Sequence, residues 1–430
     1  STADRRLEKQ INSLNSIILS GFEPREEQIA SIVSAARGTE LEGDALQMAA
    51  TAKATGEFRR LTPVQQEAYL TRLESEVRKD PTKFDITLID KLRLINENQK
   101  RLLDQSPVSF AVRQGVIDQS DVAAQPLDLA NPDGQALQAR YDLAKEMRAK
   151  YGADMKPLTP GEQEAVTETL KSASWHEKLA YFAKIQTASG NDFDGYLSLM
   201  AQIAPDDPVS AIAGVYSARG RTEAAAQMLR GQEILRPPKT QDGKPDKGKL
   251  WPMPADTEFR AEFERITGDA YKGQARARSD VYQAALSIYA AKVSDAGHAK
   301  DTLKRDLFEE SVKLATGGVE KWNGLYTVMP YGMSKKEFKD GLYKRIDALV
   351  MSGRLDNKVD RYKLRDMQLK SIGDGRYSFV TPGGFLVDKN GDRIIIDFNH
   401  PLPQVGYTMP TVSAEEAEYQ EGIAKQRLGM

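Results

Sequence analysis

Leu61-Thr62-Pro63-Val64-Gln65-Gln66-Glu67-Ala68 returns 97 positions later as Leu158-Thr159-Pro160-Gly161-Glu162-Gln163-Glu164-Ala165. Both stretches spell a helix start. Thr62 and Thr159 are N-caps whose hydroxyls can accept a backbone N–H, and Pro63 and Pro160 supply a fixed φ at the first helical position. Gln65 or Glu162 stands three residues on, where its side chain closes a capping box. Tyr69, Leu70, Leu73 and Val77 then continue one apolar face in the first copy, and Val166 and Leu170 do so in the second. Capping selects Thr, Pro and Glu or Gln in any sequence. Leu61/Leu158, Gln66/Gln163, Glu67/Glu164, Ala68/Ala165 and Leu73/Leu170 exceed that requirement, which leaves internal duplication open.

Other segments repeat the pattern of capped, one-faced helices. Pro24, Glu26 and Glu27 open a helix with the stripe Ile29, Ile32, Val33 and Ala36, and Gly38 ends it. Helices are expected over 85–103 and 134–151. Shorter ones follow at 175–187, 193–203, 208–217 and 222–229, hairpins of the size that stack into solenoids. Further helices fall at 259–266, 279–293 and 307–315, then an irregular aromatic stretch, Trp322 to Tyr331, and a third capping box at Ser334 and Glu337. Near the C-terminus the period changes to two. Asn390-Gly391, between the apolar runs Phe385-Leu386-Val387 and Ile394-Ile395-Ile396, is a strong hairpin signal. The expected fold is mainly α, an irregular multi-helix, partly solenoid-like array with a small C-terminal antiparallel β element. The segments are 1–106 (helical), 107–133 (connector with Pro107, Gly115, Pro126 and Pro132, and room for a short helix near Val108 to Gly115), 134–235 (solenoid-like), 236–256 (polar linker), 257–371 (second helical region) and 372–430 (β-hairpin element and tail).

Composition narrows the chemistry. The 430 residues carry 60 Lys plus Arg against 62 Asp plus Glu, so no overall field draws the protein to a polyanion. With no cysteine, disulfides, thiolate nucleophiles and Cys-ligated metals are excluded, and a cytosolic or capsid-enclosed setting fits better than secretion. The apolar residues Ile11, Leu14, Ile17, Ile18 and Leu19 are interrupted by Asn and Ser, unlike a signal-peptide core. His176, His298 and His400 are far apart, which argues against a zinc site or a Ser/His/Asp triad. Gly317-Gly318 and Gly383-Gly384 lack the setting of a phosphate loop. Asn191-Asp192-Phe193-Asp194-Gly195 fails the calcium-loop register, with Gly190 first and Ala201 twelfth, and reads as a helix cap. Asp388-Lys389-Asn390-Gly391-Asp392 reads as a turn. No cofactor is expected.

One enzymatic reading competes. Glu310-Ser311 resembles the Glu-Ser pair of peptidoglycan lytic transglycosylases, whose glutamate protonates the glycosidic oxygen. Those enzymes follow it with a Gly-Leu-Met-Gln strip. Here the nearest text, Leu199-Met200-Ala201-Gln202-Ile203-Ala204-Pro205, lies upstream of Glu310 and carries an inserted Ala. Basic residues concentrate in the linker, at Arg236, Lys239, Lys244, Lys247 and Lys249, and between Ser334 and Arg376, with twelve Lys or Arg against seven acids. Lys239, Lys244, Lys247 and Lys249 are the candidate nucleic-acid contacts, although a solvated loop explains them equally well.

Several stretches between residues 60 and 350 resemble the internal virion, or ejection, proteins of short-tailed bacteriophages. They are Arg140-Tyr141 through Tyr151-Gly152 to Leu158-Thr159-Pro160, Ala211 to Gly214, Met228-Leu229-Arg230-Gly231 to Ile234-Leu235, Ala284 to Ala291, and Ala315-Thr316-Gly317-Gly318 with Asn323-Gly324. The motifs are short and specific only in combination. The resemblance implies a non-enzymatic virion protein of the capsid interior or portal and tail region, partnered by its own copies and by other core, portal or tail proteins. It also implies passage into the host envelope during infection, with phage DNA and that envelope as further contacts. Some family members carry a separate transglycosylase domain. A cytoplasmic α-solenoid adaptor is the reading unrelated to virions.

Overall fold

The computed structural model describes residues 2–83, 85–236, 240–246, 252–298, 300–330, 333–373 and 375–399. It is mainly helical, 64 % helix with 18 α-helices among the described residues, and has a small antiparallel sheet near the C-terminus. Ser1–Pro254 with Asp280–Phe308 form one compact unit, and Ala255–Ser279 with Glu309–Met430 form a second. The four segments expected up to the polar linker thus lie almost entirely in the first unit.

The first unit opens with α1 (Thr2–Leu19), α2 (Glu26–Ala36), α3 (Glu42–Ala54) and α4 (Gly56–Arg60). Leu7, Ile11, Leu14 and Ile18 recur at helical spacing along α1 and pack with Ile32 and Ala36 of α2 and Ala45, Met48 and Ala52 of α3. Next come α5 (Pro63–Lys79), α6 (Ile86–Gln105) and α7 (Pro107–Arg113). The unit continues with α8 (Gly134–Tyr151), α9 (Pro160–Ser172), α10 (Trp175–Ser189), α11 (Phe193–Ile203), α12 (Pro208–Ala218) and α13 (Thr222–Leu235). Helices α11, α12 and α13 pack in chain order, the neighbour stacking of a solenoid-like run, and α10 lies against all three and against α8. The capping boxes expected at α5 and α9 are present. A further one opens α10, where Ser174 and Glu177 have the same spacing.

Of the residues of the repeated motif that exceed capping, Gln66 and Gln163 tie helices together through their side-chain amides. Gln66 is fully buried, and its Nε2 donates to the carbonyls of Phe58 (3.0 Å) and Leu61 (3.3 Å) and to Gln99 Oε1 (2.8 Å). From α6, Asn96 Nδ2 donates to Pro63 O and Gln66 Oε1, and Gln99 Nε2 donates to Gly21 O and Arg59 O. Gly21 has φ +89°, and a Cβ there would lie 2.4 Å from the Gln99 side chain, so the clasp requires glycine. In the second copy Gln163 Nε2 donates to Gln202 O (2.5 Å). Gln202 in turn holds Leu158 by both ends, accepting from its N–H (2.7 Å) and donating to its carbonyl (3.0 Å).

The segment expected as a connector, 107–133, holds the short helix expected near Val108 to Gly115 and is packed into the unit. Its α7 joins a core of Leu103, Val108, Phe110, Ala111, Leu143 and Met147. Arg140 of α8 holds the rest of it with all five guanidinium N–H groups. Nε donates to Ala123 O, Nη1 to Pro157 O and Glu162 Oε1, and Nη2 to Gln125 O and Glu162 Oε2. Glu162 also accepts from the backbone N–H of Leu127 and Thr159. Sequence distance hides this, because Arg140 looks like any polar residue on an amphipathic helix.

The chain then forms α14 (Asp256–Thr267), α15 (Ala275–Ala296) and α16 (Arg305–Thr316), with the unit boundaries at Ser279 and Phe308 falling inside the last two. The stretch expected to be irregular, Trp322 to Tyr331, begins in a hairpin: β1 (Val319–Trp322) pairs antiparallel with β2 (Leu325–Val328). Asn323 (φ 47°) and Gly324 (φ 87°) make the turn, an Asn-Gly signal as strong as the one at Asn390-Gly391. After α17 (Lys335–Met351), with its expected Ser334/Glu337 box, and α18 (Arg361–Asp366) come β3 (Gln368–Gly373), β4 (Arg376–Thr381), β5 (Gly384–Phe385) and β6 (Ile395–Asp397). The sheet therefore begins at Gln368, inside the region expected to be helical up to 371. Central β4 pairs antiparallel with β3, β5 and β6. Trp322, Phe338, Leu342, Ile346, Leu369, Tyr377 and Phe379 are part of this unit's core. Tyr377 Oη donates to Val328 O, and Thr327 Oγ1 donates to Leu369 O. The tail expected after the hairpins, from residue 400, lies outside the described residues.

Removing the Gln202 amide strands the Leu158 N–H and carbonyl in the interior, at about 1–3 kcal/mol for each unsatisfied group. Gln202→Leu is expected to lower the urea midpoint of the first unit by the equivalent of about 2–4 kcal/mol, and Gln66→Leu to act similarly. Glu162 supplies a pH test. Burial alone would raise its pKa, but the Arg140 hydrogen bond and charge and the two backbone N–H groups outweigh burial and hold it below the ordinary value. Its contribution is therefore complete above the unfolded carboxylate pKa, about 4.3, and is lost as pH falls through the lower folded value. Denaturation between neutral pH and pH about 3 should show this acid limb in the parent and a flatter one in Glu162→Gln.

Candidate functional site

A polar constellation inside the first unit brings together four residues, from α10, the N-cap of α12, α12 itself and α13. Lys178 occupies a core position on α10, in register with Phe182, Ile185 and Ser189, and is only 2 % exposed. Its Nζ lies 3.1 Å from Ser210 Oγ, 2.7 Å from Gln232 Oε1 and 3.7 Å from Asp207 Oδ2. Asp207 caps α12, accepting from Ser210 N (3.1 Å) and from Gln232 Nε2 (2.7 Å). Burial pushes the Lys178 ammonium below the usual lysine range, and the Asp207 carboxylate opposes that shift without cancelling it.

A lysine of lowered pKa beside a serine hydroxyl is one arrangement that activates a nucleophile. Here Ser210 has no exposed surface, so no substrate atom reaches its Oγ while the helices stay packed. The geometry instead satisfies an ammonium inside a helix junction. Residue spacing conceals the network, since its members are 22 to 54 positions apart except for Asp207 and Ser210. The available signal was a lysine standing in the apolar stripe of α10.

The other candidates disperse. Glu310 is exposed on α16, and Ser311 beside it is buried. Leu199, Met200 and Ile203 of the broken strip are core residues, and its glutamine is the Gln202 that grips Leu158. Asp192 caps α11 through Gly195 N, and Asp388 accepts from the N–H groups of Asn390 and Asp392, so both acidic motifs are local turn chemistry. His176 is exposed and stacked on Trp175, His298 is exposed, and His400 lies outside the described residues. Among the described residues no group of three His, Asp or Glu could hold a metal ion, and no helix is long and apolar enough to cross a membrane.

Of the four candidate nucleic-acid contacts, Lys244 is exposed, its carbonyl accepting from Thr240 N in a turn. Lys239, Lys247 and Lys249 lie outside the described residues. In the second basic span the arginines serve the fold. Arg354 pairs with Asp388 (3.0 Å), Arg361 and Arg365 face the buried Asp347 carboxylate (3.8 and 3.4 Å), and Arg345 covers the Phe398 ring. Lys335, Lys336, Lys339, Lys344 and Lys358 remain exposed.

A fluorophosphonate probe is expected to leave Ser210 unlabelled in the folded protein. Labelling at Ser210 that Lys178→Met abolished, with the melting curve unchanged, would make the pair a catalytic dyad. Searches of protein families, curated proteins and solved structures return no match for this chain.

Proposed function

We propose that this chain is an internal virion protein of a short-tailed phage, which assembles with its own copies near the portal or tail and assists genome delivery across the host envelope. The observation that carries this reading is the use the molecule makes of its buried charges. Arg59, Arg140, Lys178, Glu262, Asp347 and Asp388 are the buried charged side chains among the described residues. Each is bonded to a partner within its own unit: Glu23 for Arg59, Glu162 for Arg140, Asp207 for Lys178, Arg265 for Glu262, Arg361 and Arg365 for Asp347, and Arg354 for Asp388. Catalytic groups are ordinarily left poised toward a substrate. All but the Glu262–Arg265 pair join separate segments of the chain, which suits a scaffold whose function lies in its surfaces. The resemblance of several short motifs to those of ejection proteins points the same way.

In this reading the exposed lysines of the second unit and Lys244 meet phosphates, and other core, portal or tail proteins cover further surface. Native mass spectrometry and electron microscopy of the purified protein are expected to give a closed ring of several copies, and purified particles to contain the chain. A monomer at every concentration would count against a conduit component. Particles lacking the chain would favour a cytoplasmic adaptor, and clearing of a peptidoglycan zymogram that Glu310→Gln abolishes would favour the transglycosylase.

A further inference from the structure

Alternation along the C-terminal strands divides the four-stranded sheet into two faces. Leu369, Tyr377, Phe379, Ile394 and Ile396 lie in the core, so the residues between them point the other way. On that outer face Val380 stands opposite Phe385, and Ser378 opposite Ile395. An antiparallel sheet with one covered face ordinarily presents polar side chains on the other, and β3 does so with Gln368 and Lys370. The segment from β5 to β6 departs from this. Phe385, Val387 and Ile395 are 41 %, 49 % and 43 % exposed, and Val387 pairs with Arg393 to bring them together. The Arg393 guanidinium lies 3.5 Å from the Phe385 ring centroid, yet the ring stays open to solvent.

The size of the patch selects its occupant. Three half-exposed side chains offer on the order of a few hundred Å², short of the about 800 Å² per partner that a stable dimer buries. A segment of the same chain needs far less, because its tether supplies an effective concentration in the millimolar range. The described chain ends beside this face. Phe398, the residue after β6, donates its N–H to Gly375 O (3.0 Å), just before β4 begins. Phe385 is opposite Val380, about 17 Å further along at 3.3 Å per residue. Beyond Asn399 an extended chain covers that distance in about five residues, which brings Val405 to the patch. Val405, Tyr407 and Met409 then fill every second position between Pro403 and Pro410, the period of one-sided apolar contact in an extended segment. We infer that residues 405–409 of the same chain pack on Phe385, Val387 and Ile395 and cover the apolar part of the outer face. This contact is independent of the assembly reading.

The chain has no cysteine, so an introduced pair has no competitor. In the full chain, Tyr407→Cys combined with Phe385→Cys or with Ile395→Cys is expected to close an intramolecular disulfide, under mild oxidation, at least about tenfold faster than the same pair in concentrated urea. Thr408→Cys, whose side chain points to the opposite side, should lag behind Tyr407→Cys. A folded-state rate no greater than that in urea, or equal rates at 407 and 408, would overturn the contact. Disulfide-linked dimers as the main product would overturn it too and give the face to a second copy. A dye for exposed apolar surface supplies the second measurement. Val405→Asp with Tyr407→Asp should bind several-fold more anilinonaphthalene sulfonate than the parent while melting as it does, and adding Phe385→Asp and Ile395→Asp should remove the gain. Unchanged dye binding in the first variant, or a gain that survives the added substitutions, counts against the contact.

Discussion

Backbone N–H and C=O groups at the ends of buried helices must find partners, and this molecule meets that demand with amide and guanidinium side chains reaching in from other helices. Gln66, Asn96 and Gln99 serve the carbonyls around the start of α5, Gln202 serves Leu158 before α9, and Arg140 serves Ala123, Gln125 and Pro157. A capping box satisfies only the first turn. The residues just before it belong to tight chain reversals packed in the interior, where water is excluded and a lost bond is costly. The amides therefore fix which helix lies beside which reversal, a specificity that apolar packing alone would leave loose.

The second unit meets its polar requirements differently. Asp347 draws Arg361 and Arg365 from α18 onto α17, and Arg354 fixes the Asp388 turn. The side chains of Thr327 and Tyr377 connect the hairpin β1–β2 to the sheet. Phe338 of α17 stacks on Phe398 and meets Trp322 edge-on, so an aromatic cluster joins helix, hairpin and sheet. The basic residues of this region divide by chemistry. Arginine, whose planar fork bonds in several directions, is used inside, and much of the lysine is left in solvent.

Helix existence was legible wherever a cap and a stripe coincided. The starts at Pro63, Gly134, Pro160, Trp175, Phe193, Pro208 and Thr222 are where the sequence places them. Helices α3 and α4 offered weaker signals, since α3 has no side-chain cap and carries alanines on several faces, and α4 is only five residues long. The β1–β2 hairpin was obscured because its strands carry Glu, Lys, Tyr and Thr rather than a clean apolar alternation, leaving Asn323-Gly324 as its sole strong mark. Of the candidate chemistry, the acidic decoys were readable as caps and turns from their spacing. Lys178 with Ser210 was not, because the two are brought together from different helices.

The sequence by itself determined where most capped helices begin, because a cap and a proline act within about four residues of the backbone they control, while some ends, such as that of α13 at Leu235 rather than 229, were set by packing. It also determined the mainly helical class and the late change of period to strands. Only the tertiary structure decided that Gln66 meets Gln99, that Gln163 meets Gln202, and that Arg140 straps down a segment that reads as a connector. Those pairings depend on which apolar faces pack, and side chains tens of residues apart carry no local signature of that choice until the helices are brought together.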